Sequence, residues 1–132
     1  MEYATKIQKS INFIENNLCE KLKLSDIAKQ SYFSEFYFHK LFRNVTGAPV
    51  MEYIRQRRLN EASNDLLRTD EKITDIAFKY QFSSEESFSR AFKRVFGLSP
   101  RKYRNMINEN VHVLQKHSVK NTPVETIVSM AA

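Results

Sequence analysis

At 132 residues, with 42% hydrophobic side chains and a net charge of +6, the chain has enough apolar material for one compact domain or two very small ones, which excludes wholesale disorder. No stretch approaches the roughly 20 apolar residues of a membrane span; Met1-Glu2-Tyr3 lacks the basic and apolar regions of a secretory signal, and the single Cys19 excludes an internal disulfide framework and fits a reducing compartment. Paired carboxylates, a phosphate-binding glycine-rich loop and His/Cys metal spacing are all missing from the sequence, so catalysis has no visible machinery and no cofactor or metal is expected.

Only 2 Gly and 3 Pro interrupt the chain, which favours helices joined by tight turns. The spacing Ile7, Ile11, Ile14, Leu18 predicts a first helix over 4–19. Ser25 is a suitable N-cap for a short helix over 25–31 that turns Ile27 and Ala28 inward. Tyr32-Phe33 then turns the chain, and Ser34 caps a helix of about 35–46 with Phe38, Leu41, Phe42 and Val45 inside, ended by Gly47. Pro49 suits the start of a long helix to about residue 68, with Met51, Ile54, Leu59, Ala62, Leu66 and Leu67 as packing positions. The polar run Thr69-Asp70-Glu71-Lys72 is a loop. Thr74 caps a second short helix with Ile76 and Ala77 inside, and Tyr80-Gln81-Phe82 is a second turn. Ser83 opens a helix of about 84–96 that buries Phe88, Ala91, Phe92 and Val95 and ends at Gly97. Ser99-Pro100 starts a last helix to about 108, with Tyr103 and Ile107 inside. Residues 109–132, with Pro123 and scattered valines, are a tail or the opening of a further domain.

Two of these segments are copies of each other. Leu24-Ser25-Asp26-Ile27-Ala28, Phe33-Ser34, Phe38, Leu41-Phe42, Val45, Gly47 and Tyr53 return as Ile73-Thr74-Asp75-Ile76-Ala77, Phe82-Ser83, Phe88, Ala91-Phe92, Val95, Gly97 and Tyr103. The offset is 49 residues up to Phe33/Phe82 and 50 from Phe38/Phe88 onward, which places one extra residue near Ser84 to Glu86. A repeat of this kind is one supersecondary unit used twice. The charge follows the repeat. Residues 39–58 carry Lys40, Arg43, Arg55, Arg57 and Arg58 against Glu52, and residues 90–104 carry Arg90, Lys93, Arg94, Arg101, Lys102 and Arg104 with no acid. One basic cluster is an ordinary solvated face; two at equivalent repeat positions favour phosphate binding.

A short helix, a tight turn and a second helix with an apolar inner face form a helix-turn-helix pattern, in which the second helix enters the major groove. The outward positions are Glu35, Phe36, His39, Lys40 and Arg43 in the first copy, and Glu85, Glu86, Ser87, Ser89, Arg90 and Lys93 in the second. These side chains can donate to guanine, touch thymine methyls or accept from cytosine. The joining helix, at 1.5 Å per residue, spans about 30 Å, close to the roughly 34 Å between successive major-groove faces on one side of B-DNA.

Ile76-Ala77-Phe78, Phe82-Ser83-Ser84, Phe88-Ser89-Arg90-Ala91-Phe92-Lys93-Arg94, Phe96-Gly97-Leu98-Ser99-Pro100 and Tyr103-Arg104 resemble the signature of AraC/XylS-type transcriptional regulators, and Arg57-Arg58-Leu59-Asn60-Glu61-Ala62 resembles that family's linker helix. The resemblance covers residues 5–107. It implies an all-α fold of about seven helices: a first helix-turn-helix subdomain over about 5–48, a linker helix over 49–68, and a second subdomain over 72–108. By position, it also implies that Phe36, His39, Lys40 and Arg43 face the first groove and that Glu86, Ser87 and Arg90 face the second. Ser34, Ser83, Lys93 and Arg94 are the expected phosphate contacts, a role Arg43 also suits. The family usually has Gly where Gln81 stands, with Tyr32 at the equivalent place of the first copy. If either turn needs positive φ, a side chain there costs about 1 kcal/mol.

Plainer roles stand beside these. The helical spacing of Phe33, Phe38, Phe42, Phe82, Phe88, Phe92 and Tyr103 points to the core rather than to base stacking. Phe36 is either a groove contact or partly packed. Glu86 either contacts a base or completes a capping box with Ser83. Arg90 sits mid-helix, where it can bond guanine bidentately. His39 has no second metal ligand one turn away, and Cys19 reads as a small packed residue. The expected function is a sequence-specific, double-stranded DNA-binding regulator in the bacterial cytoplasm, associated with the nucleoid. It would act chiefly as an activator through RNA polymerase, either alone or under an effector domain beyond the chain. The rival readings are a sequence-tolerant architectural DNA binder, a protein-interaction module and, more distantly, an enzyme.

Overall fold

The structure, a computed structural model, is described for residues 2–106. Its helices are α1 (Glu2–Asn16), α2 (Leu24–Lys29), α3 (Glu35–Thr46), α4 (Val50–Arg68), α5 (Ile73–Lys79) and α6 (Glu85–Phe96). A seventh, α7, opens at Pro100 and is described over 100–106. The described residues contain no strand. Ile107 and the expected tail over 109–132 lie outside the described residues. The chain divides into two compact units, and the division falls within α4, between Arg58 and Leu59.

The first unit gathers Ile7, Ile14 and Leu18, then Ile27, Ala28, Phe38 and Phe42, then Val50, Tyr53 and Ile54 from the first half of α4. The second gathers Leu59, Ala62 and Leu66 from the second half of α4 with Ile76, Ala77, Tyr80, Phe88, Ala91, Phe92 and Tyr103. Full burial of one such aromatic or aliphatic side chain contributes roughly 1.5–3 kcal/mol. The aromatic packing repeats in geometry as well as in sequence. Phe38 and Phe42 lie 5.6 Å apart at 53°, and Phe88 and Phe92 lie 5.6 Å apart at 51°. Tyr53 meets Phe42 edge-on at 5.4 Å, as Tyr103 meets Phe92 at 5.2 Å. Burial pushes both phenols above their ordinary pKa.

The helix ends differ from the sequence-based expectation in instructive places. α1 stops at Asn16, short of 19. The Asn17 side-chain amide donates to the Phe13 carbonyl at 2.7 Å, and its backbone N–H closes a tighter turn onto Ile14. Leu18 still reaches the core. Ser25 and Thr74 do not cap: α2 and α5 start one residue earlier, after Lys23 and Lys72, which make no side-chain cap bond. The Thr74 hydroxyl instead donates to the Glu85 carboxylate at 2.7 Å. Ser34 caps α3 by accepting from the Tyr37 N–H. In α6 the cap is Ser84, accepting from the Ser87 N–H, and not Ser83. Glu86 therefore forms no capping box with Ser83.

Tyr32 and Gln81, 49 residues apart, both turn the chain with positive φ, at 63° and 68°. Ser34 and Ser84, 50 residues apart, both cap. Phe33 and Phe82 both pack against their cores. The extra residue of the second copy is thus Ser83, just ahead of the segment to which sequence spacing assigned it. Gly47 and Gly97 end α3 and α6 in the left-handed conformation, at φ 85° and 81°, each donating its N–H back at 2.8 Å, to the Arg43 and Lys93 carbonyls respectively. Val45 and Val95, expected inside, are 50% and 40% exposed, and Met51 is exposed as well. In α6 the residue that continues the core past Phe92 is Phe96, stacked on it at 4.3 Å, so Val95, one residue short of it, faces solvent.

Candidate nucleic-acid interface

Each unit presents one helix with a buried and a solvent-facing side. In α3, Phe38 and Phe42 anchor the inner face. Phe36 stands 74% exposed, with the Lys40 ammonium 5.2 Å over its ring and Arg43 exposed one turn on. A large aromatic left in water at the start of such a helix offers an apolar surface next to a cation, the complement of a thymine methyl beside a phosphate. His39 leans inward between these faces: the residue is half-buried, and its Nδ1 is enclosed without a hydrogen-bond partner. Ser34 is exposed, with its hydroxyl engaged as the cap.

In α6, Phe88, Ala91 and Phe92 anchor the inner face. Glu86 and Arg90 are exposed and bonded to each other, Nη2 to Oε1, at 2.6 Å. Lys93 and Arg94 follow, exposed, in the last turn. Ser87 is half-buried and Ser83 exposed, outside the helix.

The basic clusters split into two groups with different partners. Arg57 makes a two-point bond to the Glu15 carboxylate, 2.9 Å from Nε and 2.8 Å from Nη2, tying α4 to α1. Arg58 forks onto the carbonyls of Leu18 and Glu20 at 2.9 and 2.7 Å. Arg104 does the same to the carbonyls of Leu66 and Thr69 at the end of α4, at 2.9 and 3.2 Å. Partial burial lowers the Arg58 pKa from its ordinary value. These three arginines brace their own chain. The exposed cations are Lys40, Arg43 and Arg55 in the first cluster, and Arg90, Lys93, Arg94, Arg101 and Lys102 in the second.

A helix-turn-helix domain family model matches residues 27–106. The chain is 43% identical over 98 residues to the HTH-type transcriptional activator AarP of Providencia stuartii, which covers 74% of this chain and 73% of AarP. Its structure matches a transcriptional regulator from Chromobacterium violaceum, described as having an AraC-type DNA-binding domain, with a TM-score of 0.74 and 29% identity over 78% of this chain and 92% of that one.

The chain belongs to the AraC/XylS-type transcriptional regulators.

It is also 45% identical over 107 residues to the uncharacterized HTH-type transcriptional regulator YbfP of Bacillus subtilis, and it spans only 36% of that protein's length. Within this AraC-type framework, sequence reasoning missed Ser84 as the α6 cap and named Arg55, Arg101 and Lys102 only as members of the basic clusters, with no individual role. Ser84 was hidden by the one-residue insertion. Arg101 and Lys102 were signalled by their position in the first turn of α7, beside the Ser99 hydroxyl that accepts from the Lys102 N–H at 3.3 Å.

Proposed function

We propose that this AraC-type chain is a sequence-specific, double-stranded DNA-binding regulator that inserts α3 and α6 into successive major grooves. The observation that carries this reading is the pair of helices with matched inner faces and unlike outer ones. Phe36, Lys40 and Arg43 stand where Glu86, Arg90 and Lys93 stand in the second unit. Phe36, His39, Lys40, Arg43, Ser87 and Arg90 are assigned to base edges, with Glu86 on the same base-facing side against Arg90, and Ser34, Ser83, Lys93 and Arg94 to phosphates. Unlike faces on like scaffolds imply an asymmetric site read by one chain. The activator named among the relatives supports promoter activation, with RNA polymerase as the protein partner and the bacterial cytoplasm, on the nucleoid, as the setting. A further domain that senses an effector fits the greater length of YbfP.

Selection of bound duplexes from a random pool, followed by competition against random DNA, tests the reading. Enrichment of one asymmetric sequence with a large affinity ratio is expected. Binding that ignores sequence refutes it in favour of an architectural role. Arg90→Ala is expected to relax preference at one base position at a cost of about 1–3 kcal/mol; equal loss on unrelated sequences refutes that assignment.

A further inference from the structure

The two outward-facing helices share one local device built from different chemistry. In α6, Arg90 bonds Glu86, four residues earlier on the same exposed face, at 2.6 Å. In α3, Lys40 lies over the ring of Phe36, also four residues earlier, at 5.2 Å. The two pairs occupy equivalent positions, 50 residues apart. In each, a cation rests on the residue one turn before it.

The electrostatic consequences differ. A ring face attracts an ammonium and leaves its charge intact. A carboxylate cancels the charge. Lys40 therefore remains a full cation, whereas Arg90 is locally neutralised. The carboxylate that does this is set apart from its neighbour: Glu85 is held by the Thr74 hydroxyl at 2.7 Å, which leaves Glu86 to Arg90. Lys93 and Arg94, in the last turn of α6, make no ion pair with either acid.

An unrestrained arginine beside DNA is drawn to phosphate, where half to two-thirds of protein–DNA hydrogen bonds go. A guanidinium has five N–H donors. With Nη2 committed to Glu86, the remaining donors stay free for an acceptor pair, while the carboxylate opposes any approach to a phosphate. In water such an exposed pair is weak. It strengthens as groove walls displace the water.

We propose that Glu86 is a positioning residue for base discrimination. It holds the Arg90 fork toward the base edges and masks its charge from phosphate, so that the α6 half-site contributes selectivity while Phe36 and Lys40 contribute affinity at the other. The proposal rests on the DNA-binding function proposed above.

The test uses the full 132-residue chain as wild type, E86Q, R90Q and E86Q/R90Q. The probes are the duplex enriched by the wild type from a random pool and a random-sequence duplex. With both side chains largely exposed, at 69% and 80%, unfolding midpoints are expected to stay within a few degrees. E86Q is expected to gain one phosphate contact. On a log–log salt slope of about −0.9 per contact, that tightens the random duplex roughly eightfold at 0.1 M salt and steepens its slope by about 0.9. Binding of the enriched duplex is expected to change by less than about threefold, so selectivity falls. On the R90Q background, E86Q is expected to change random binding by less than about twofold. An equal gain on both backgrounds overturns the proposal, because Glu86 would then repel DNA without acting through Arg90. No gain on either background overturns it as well. A wild-type chain that enriches no sequence is a separate result and refutes the underlying function.

Discussion

Tyr32 turns the chain between α2 and α3 with φ at 63°, in the left-handed region that favours glycine. Its side chain is 84% exposed, so little apolar burial depends on it. Its backbone N–H donates to the Lys29 carbonyl at 3.3 Å, a bond any residue but proline can make. Replacing it with glycine removes a conformational penalty of about 1–2 kcal/mol and returns about 0.5–1 kcal/mol through the greater freedom of the unfolded chain. Tyr32→Gly is therefore expected to stabilise the first unit by about 0.5–1 kcal/mol. For a domain of this size that raises the midpoint by roughly 2–8 °C. Tyr32→Val, β-branched in the same conformation, is expected to lose about 1 kcal/mol or more. Calorimetry and urea titration measure both. A glycine variant no more stable than the wild type refutes the claim that this turn is strained.

Arg57→Ala is expected to cost about 1–2 kcal/mol by breaking the two-point bond to Glu15 while leaving the salt slope of DNA binding unchanged, as measured by urea titration and binding at several salt concentrations. Arg94→Ala is expected to reverse that pattern: stability within about 0.5 kcal/mol, with weaker binding to all DNA and a slope smaller by about 0.9. Arg104→Ala is expected to resemble Arg57→Ala, because its fork satisfies the Leu66 and Thr69 carbonyls; a loss of salt slope there contradicts the bracing role. Gly97→Ala meets no atom within 4 Å, so the left-handed φ of 81° alone sets its expected cost of about 1 kcal/mol in thermal unfolding.

The helices were legible because their signals are local. The i, i+3, i+4 spacing of Phe38, Leu41 and Phe42, and Gly47 after Thr46, both lie within one segment and marked α3 to within a residue. The same spacing overreached at Val45 and Val95, since apolar positions three and four residues on from Phe92 both fit a helical face, and the core takes Phe96 rather than Val95. Ser25 and Thr74 misled because a hydroxyl in the first helical turn looks like one at the cap. The arginines were legible as charge but not as partners. Arg57, Arg58 and Arg104 meet acceptors 35 to 42 residues away in the chain, which no count of neighbouring charges reaches. Phe36, Lys40, Arg43, Glu86, Arg90 and Lys93 are exposed as the wheel has them and His39, Ser87 and Ser89 are half-buried, while the bond between Glu86 and Arg90 depends on rotamers that the wheel does not contain.

α4 has 19 residues, and the boundary between the units cuts it after Arg58. Each portion is shorter than the roughly 12–15 residues at which an isolated helix becomes even marginal in water. Neither portion is therefore a helix on its own account; each is held by Val50, Tyr53 and Ile54 on one side of the cut or by Leu59, Ala62 and Leu66 on the other. The backbone bonds that cross the cut belong to both. If one core melts, it withdraws the helical neighbour on which the adjoining turn of the other portion depends, so the backbone of α4 makes the folding of the two units interdependent.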